Sequence, residues 1–232
     1  MDLNIDALEA SFDADAEGAC RQLFYDLLWA RAENAGAEGL VEQSCDTIAQ
    51  APTLVRLFPE AKFIHVVRDG RDASASRVAQ TKGLINPRTR RQGLEWWEER
   101  IRRIDAGARA IPPERLLTVS LDELVLLGSH RGLRPICSFS GLYAHKRMKR
   151  FFNRRMSAEL AHSDRWRAGV GDRRAAELER LYEGILDRFE ADGVHCAPLL
   201  RRTLERSRAP KANRLRPVAF LAGDESPVGL RT

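Results

Sequence analysis

Apolar residues along this chain come in two patterns, helix-spaced sets and short continuous runs, and the two alternate. From Cys20 onward, Leu23, Phe24, Leu27 and Leu28 recur three and four apart with Trp29 adjoining, which predicts a packed helix ended near Gly36 and Gly39. Pro52 suits the first turn of a short helix carrying Leu54, Val55, Leu57 and Phe58. Residues 62–67 form an apolar run with β-branched members, the composition of a strand covered on both faces of a parallel sheet. The run stops at Arg68. Asp69-Gly70 supplies a turn, and Asp72 stands where an N-cap is expected, opening a helix through Ala73, Ser74, Ala75 and Ser76. Leu94, Trp97, Ile101, Ile104 and Ala108 mark one face of an amphipathic helix, which Pro112-Pro113 ends. A strand over 115–119, a small helix over 134–142 and a helix with Leu178, Leu181, Ile185, Leu186 and Phe189 on one face complete the pattern.

This alternation predicts an α/β fold, a parallel sheet flanked by helices. We read residues 1–18 as an acidic lead-in, 19–200 as one domain and 201–232 as a basic, disordered tail, arginine-rich to 217. A length of 232 residues with 44% apolar content furnishes one substantial core. Lysine and arginine exceed the acids by 38 to 33, a net charge of +5 that suits an anionic ligand without demanding nucleic acid. Cys20, Cys45, Cys137 and Cys196 are widely spaced and form no metal-like cluster with histidine, so reduced thiols and no metal are expected. The first residues lack a signal peptide's basic start and apolar core, and no stretch is long enough to span a bilayer. The expected location is cytoplasmic, and oligomeric state is not legible.

Chemistry concentrates at the end of the 62–67 run. An arginine leaving the carboxyl end of a strand there can grip two phosphate oxygens with its planar fork, and ligands of open α/β sheets bind at that end. The Ser76 hydroxyl and the free N–H groups of the following helix can complete an anion site. The competing reading makes Arg68, Asp69, Arg71 and Asp72 surface ion pairs that stitch a turn. His65, among Phe63, Ile64, Val66 and Val67, reads as a hydrogen-bonded core residue. Trp97 belongs to the core stripe, and Trp96 sits one step off it, where it would border a cleft. Residues 81–93 read as a mobile basic loop. The 145–156 segment gathers Lys146, Arg147, Lys149, Arg150, Arg154 and Arg155 around Phe151-Phe152. It admits three readings: an anionic surface or nucleic acid site, a cofactor gate, or a solvated helix with two buried phenylalanines.

The strand running into Arg68-Asp69-Gly70-Arg71-Asp72, with Ser76 eight residues after the first arginine, resembles the 3′-phosphate motif of sulfotransferases that use 3′-phosphoadenosine 5′-phosphosulfate (PAPS). The resemblance extends from about Leu40 to Phe189 and is bacterial in type. It implies a fold like that of P-loop nucleotide kinases, with Arg68 and Ser76 holding the 3′-phosphate of PAPS. Leu40-Val41 would be the second core strand. Glu42-Gln43-Ser44 stands where the family carries Glu-Lys-Thr or Glu-Lys-Ser, which makes Glu42 the catalytic base that accepts the acceptor hydroxyl's proton. Gln43 lacks the lysine's charge, and Glu42 also reads as an ordinary surface glutamate. Ser120-Leu121-Asp122-Glu123-Leu124 resembles the family's Arg-Tyr-Glu-Asp-Leu, without its tyrosine. Asp164-Arg165-Trp166-Arg167 resembles Gly-Arg-Trp-Arg, implying that Arg165 reaches the 3′-phosphate and Trp166 packs beneath.

The family's phosphosulfate loop, a Gly-x-x-x-Ser-Gly-Thr-like string after the first strand, is not found upstream of Glu42, so the fold is expected to be short of that strand and loop. The resemblance implies transfer of a sulfuryl group from PAPS, without a metal, to a hydroxyl of a small molecule, glycan or lipid. Two alternatives remain open. One is a non-catalytic 3′-phosphonucleotide-binding protein of the same fold. The other is a basic adaptor for nucleic acid or an acidic partner, acting through 145–156 and 201–217.

Overall fold

The computed structural model describes residues 15–37, 39–44, 46–80, 87–126, 130–157, 160–161, 163–208 and 221–222. The chain divides into two compact units, Met1–Ala61 and Lys62–Thr232, where the sequence suggested one domain.

In the first unit, helix α1 (Ala16–Asn34) is capped by Asp15, whose carboxylate accepts the Gly18 N–H. It is less packed than its apolar spacing suggests. Only Ala19 and Ala32 are buried, while Tyr25, Leu27 and Trp29 face outward. Phe24 and Tyr25 meet Phe58, which follows helix α2 (Ala51–Leu57), and Pro52 lies in the first turn of α2. Residues 39–44 are neither helix nor strand, so the strand expected at Leu40-Val41 is not formed there.

The second unit is built on a small sheet. Strand β1 (Phe63–Val67) pairs in parallel with β2 (Leu116–Ser120), and β2 pairs antiparallel with β3 (Leu221–Ala222). Helices α3 (Gly70–Ala79) and α4 (Arg90–Ala108) connect the parallel pair as a crossover. After β2 come α5 (Leu121–Leu126), α6 (His130–Ser140), α7 (Lys146–Arg155), α8 (Asp172–Ala191) and α9 (Ala197–Arg208). The unit is therefore helix-rich α/β.

Strand alternation sorts the sheet's side chains between two cores. Leu117 and Val119 pack with Leu124, Leu133, Cys137 and Phe152 of α5, α6 and α7, joined by Ile64. Val67 faces the larger core, where Leu94, Trp97 and Ile101 of α4 meet Tyr182, Ile185 and Phe189 of α8 and Leu199, Leu200 and Leu204 of α9. β1 is not covered on both faces as its composition suggested, since Val66 is 52% exposed. His65 is buried as expected, but its Nδ1 has no hydrogen-bond partner among the described residues, so the expected hydrogen bond is not made there.

The α4 stripe matches its reading: Leu94, Trp97, Ile101 and Ala108 are buried. A capping box starts this helix, with Thr89 accepting the Gln92 N–H and the Gln92 side chain accepting the Thr89 N–H. Two glycines let α3 pack closely. A Cβ on Gly70 would stand 2.6 Å from Cε3 of Trp97, and one on Gly93 would collide with the Ser74 hydroxyl. Ser74 Oγ in turn donates to the Arg90 carbonyl at 2.7 Å. The basic tail was expected from 201, yet α9 runs to Arg208 with Thr203 and Leu204 buried, because its apolar face closes the larger core. No helix among the described residues is long and apolar enough to cross a membrane.

Candidate anion site at the carboxyl end of the first strand

β1 ends at Val67, and Arg68 and Asp69 form the turn into α3. Asp69, not Asp72, is the N-cap: its Oδ1 accepts the Arg71 N–H at 2.8 Å. Helix α3 thus begins at Gly70, earlier than expected, and one of the N–H groups assigned to an anion is already taken by the protein.

Arg71 is built into the core. Its Nε and Nη2 form a fork onto Asp69 at 3.0 and 2.6 Å, Nη1 reaches Glu179 at 3.2 Å, and Nη2 also meets Ser207. The guanidinium lies 4.6 Å from the Trp166 ring centre and 5.0 Å from that of Tyr182. Burial works against its charge, but the hydrogen bonds and charge of Asp69 outweigh burial and hold its pKa above the ordinary arginine value. The surface-ion-pair reading of this turn is therefore corrected. Asp69, Arg71 and Asp72 are all buried, and Arg71 is a structural residue.

Asp72 accepts the Asp164 N–H at 2.8 Å and the Trp166 N–H at 2.9 Å. Asp122, just past β2, accepts the Asp69 N–H at 2.8 Å and the Ser163 hydroxyl at 3.2 Å. Arg68 donates from Nη2 to the Ala161 carbonyl at 2.8 Å. Four hydrogen bonds from three side chains, Arg68, Asp72 and Asp122, thus fasten described residues of 161–166 at the carboxyl ends of β1 and β2, so the two sequence motifs converge there. Trp166, buried, is the wedge beneath this segment, as its motif implies.

Burial first, and the nearby Asp69 charge second, raise the pKa values of Asp72 and Asp122, the latter to about 6. The positive charge of Arg68 opposes the rise at both carboxyls. Arg68 is half-buried at the strand's carboxyl end, while Ser76 and Arg165 are exposed, on α3 and in the fastened segment respectively. These three side chains offer two guanidinium groups and a hydroxyl, a donor set suited to phosphate.

Glu42 belongs to the first unit. It is exposed, and its carboxylate accepts the Thr47 hydroxyl at 3.2 Å, while Ser44 and Thr47 share a hydrogen bond of 2.6 Å. Trp96, one step off the core stripe, is stacked by Arg77 at 5.1 Å and Arg100 at 5.0 Å. Residues 81–86 of the expected basic loop lie outside the described residues. Among the described residues, no group of three histidine, cysteine or acidic side chains could hold a metal ion.

The sequence reading missed the roles of Asp72 and Asp122 as acceptors for a distant segment. Their only visible signal was acidity in places where a helix start or a surface loop explains acidity equally well. Arg71 was visible, but nothing local marks one arginine of the pair as buried and the other as half-buried.

No curated protein and no solved structure matches the chain. The 164–167 segment falls outside the one stretch for which a family is found. That stretch, residues 3–146, covers more than half of the 232 residues and matches the sequence model described as the sulfotransferase family, so the chain belongs to the sulfotransferase family.

Proposed function

We propose that this protein binds PAPS through its 3′-phosphate at Arg68, with Ser76 and Arg165 as further contacts, and transfers the sulfuryl group to an acceptor hydroxyl. The observation that carries this reading is the fastening of 161–166 to the end of β1 by Asp72, Asp122 and Arg68, since it draws the Arg165 segment to the turn that bears Arg68. Arg68 is oriented by the Ala161 carbonyl, and its positive charge acts on the buried carboxyls of Asp72 and Asp122 beside it.

PAPS supplies the sulfuryl group: an acceptor oxygen–sulfur bond forms, and the bond from sulfur to the 5′-phosphate oxygen breaks. Arg68 and Arg165 neutralise phosphate charge, and the Ser76 hydroxyl donates to it. In the first unit, the resemblance gives Glu42 the role of base toward a hydroxyl, and its carboxylate accepts a hydrogen bond from Thr47. The acceptor is a small alcohol, glycan or lipid. Gln43, an uncharged residue beside Glu42, favours a second reading in which the nucleotide is bound but not turned over.

Calorimetric titration with 3′-phosphoadenosine 5′-phosphate tests the site. Arg68→Ala should weaken binding by about 1.5–3 kcal/mol, roughly ten- to a hundredfold. Ser76→Ala should cost about 1 kcal/mol. A folded chain that binds no nucleotide overturns the proposal. Binding without consumption of PAPS in the presence of hydroxyl acceptors supports the second reading.

A further inference from the structure

The charge of α7 is placed differently from that of the other long helices. In α4, α8 and α9 several arginines face acids: Arg102 and Arg188 meet Glu98, Arg201 meets Asp187 and Glu190, and Arg208 meets Glu183. Helix α7 reads KRMKRFFNRR, with six cations and no acid in ten residues. None of the six is in an ion pair among the described residues. Lys146 and Lys149, Lys146 and Arg150, Arg147 and Arg150, and Arg150 and Arg154 are like charges three or four residues apart, an arrangement that opposes a helix. Lys146 and Arg147 also sit in the first turn, the positive end of the helix dipole. An isolated helix gains nothing from this pattern; an anionic surface relieves it.

Apolar groups stand among these cations. Phe152 is buried in the smaller core, with Met148 and Met156 against it, and this anchors the helix. Phe151 points the other way and is 58% exposed, next to Arg155, whose guanidinium lies 5.9 Å from its ring centre. The reading with two buried phenylalanines is therefore corrected to one. Just before α7, Leu142 is exposed and Tyr143 is 85% exposed. Both line a shallow groove shared with Arg134 and Lys149.

We infer that α7 and the turn before it form a docking surface for an anionic lipid bilayer, with the cations on the headgroups and Phe151, Tyr143 and Leu142 in the interfacial layer. Charge complementarity selects an anionic partner, and the exposed apolar groups select a bilayer over a nucleic acid, because Leu142 cannot stack on a base. Phe151 and Tyr143 are rings that settle at a lipid–water boundary.

Co-sedimentation with vesicles tests this on the full chain. Phosphatidylcholine vesicles doped with phosphatidylserine should pellet the protein, and phosphatidylcholine alone should not. Arg150→Glu with Arg154→Glu should cut partitioning by at least about twentyfold. Those changes turn the Lys146–Arg150 and Arg147–Arg150 repulsions into attractions but leave positions 150 and 154 alike in charge, so circular dichroism is measured on each variant to establish that it is folded. Phe151→Ala with Tyr143→Ala should weaken binding several-fold. Equal pelleting on both vesicle types, binding indifferent to either double variant, or binding to an RNA oligonucleotide but not to vesicles each overturns the inference.

Discussion

Asp72 accepts the backbone N–H of Trp166 at 2.9 Å across 94 positions of sequence, and the same carboxylate takes the Asp164 N–H. One buried side chain thereby holds both ends of the Arg165 turn against the helix that follows the first strand.

Removing that acceptor should loosen the segment before it unfolds the protein. Asp72→Ala leaves two backbone donors without their carboxylate and should cost about 1–3 kcal/mol in urea denaturation. Hydrogen exchange at the Trp166 amide should accelerate in parallel. Asp72→Asn keeps an acceptor oxygen and should lose less. Unchanged exchange at Trp166 in the alanine variant would contradict the assigned role.

The two arginines of the turn should separate cleanly. Arg71→Ala strands Asp69 as a buried charge without its fork and should cost about 3–5 kcal/mol of stability. Arg71→Lys should recover little, since an ammonium cannot make the two-pronged contact or stack between Trp166 and Tyr182. Arg68→Ala gives up the hydrogen bond to the Ala161 carbonyl and should cost about 0.5–1.5 kcal/mol, less than Arg71→Ala, while weakening nucleotide binding. Measuring melting temperature and affinity on the same preparations decides it, and equal melting losses for both variants would refute the division.

Close packing of α3 depends on missing side chains. Gly70→Ala puts a methyl 2.6 Å from the Trp97 ring, and Gly93→Ala puts one 3.1 Å from the Ser74 Cα and into its hydroxyl. Each should destabilise by about 1–3 kcal/mol through overpacking. Gly39→Ala, where a Cβ meets nothing within 4 Å, serves as the control and should be close to neutral in the same unfolding assay.

Acid should destabilise the protein partly through His65. Burial, then the neighbouring His195, depress its pKa from 6.5 to about 4. The unfolded chain therefore binds more protons between those values, and stability falls as pH drops from 6.5 toward 4, by about 3 kcal/mol from this residue. Asp122 works in the opposite sense. Its pKa rises from 3.8 to about 6, so the folded state binds more protons in that window and loses stability as pH rises through it. His65→Gln should flatten the acid limb of a stability profile, and Asp122→Asn should steepen it. Profiles that shift the other way would contradict the assignments.

Much of the second unit was legible because its signals are local. The 62–67 run, the Leu94–Trp97–Ile101–Ala108 stripe, the Pro112-Pro113 break and the Leu178–Phe189 face each report burial within a few residues of one another; β1 formed within a residue of its run, and α4 and α8 contain their faces while starting earlier, at Arg90 and Asp172. Less was legible where burial depends on partners far along the chain. The apolar spacing of α1 did not ensure packing, since a helix stripe states what a helix can bury, not whether another element arrives to cover it. The same limit hid the second half of α9, whose arginines from 201 suggested a solvated tail while Thr203 and Leu204 are buried.

The site shows this division most sharply. Residue order alone carried the strand, the turn and the phosphate-suited arginine, because a planar cation after an apolar run has the same chemistry wherever the rest of the chain lies. Which acid caps α3, which arginine is buried, and that Asp72 and Asp122 hold a segment some ninety and forty residues away could not be read there. Hydrogen bonds between distant segments leave no periodicity, and a carboxylate acquires its partner and its raised pKa only when folding brings donors to it and takes water away.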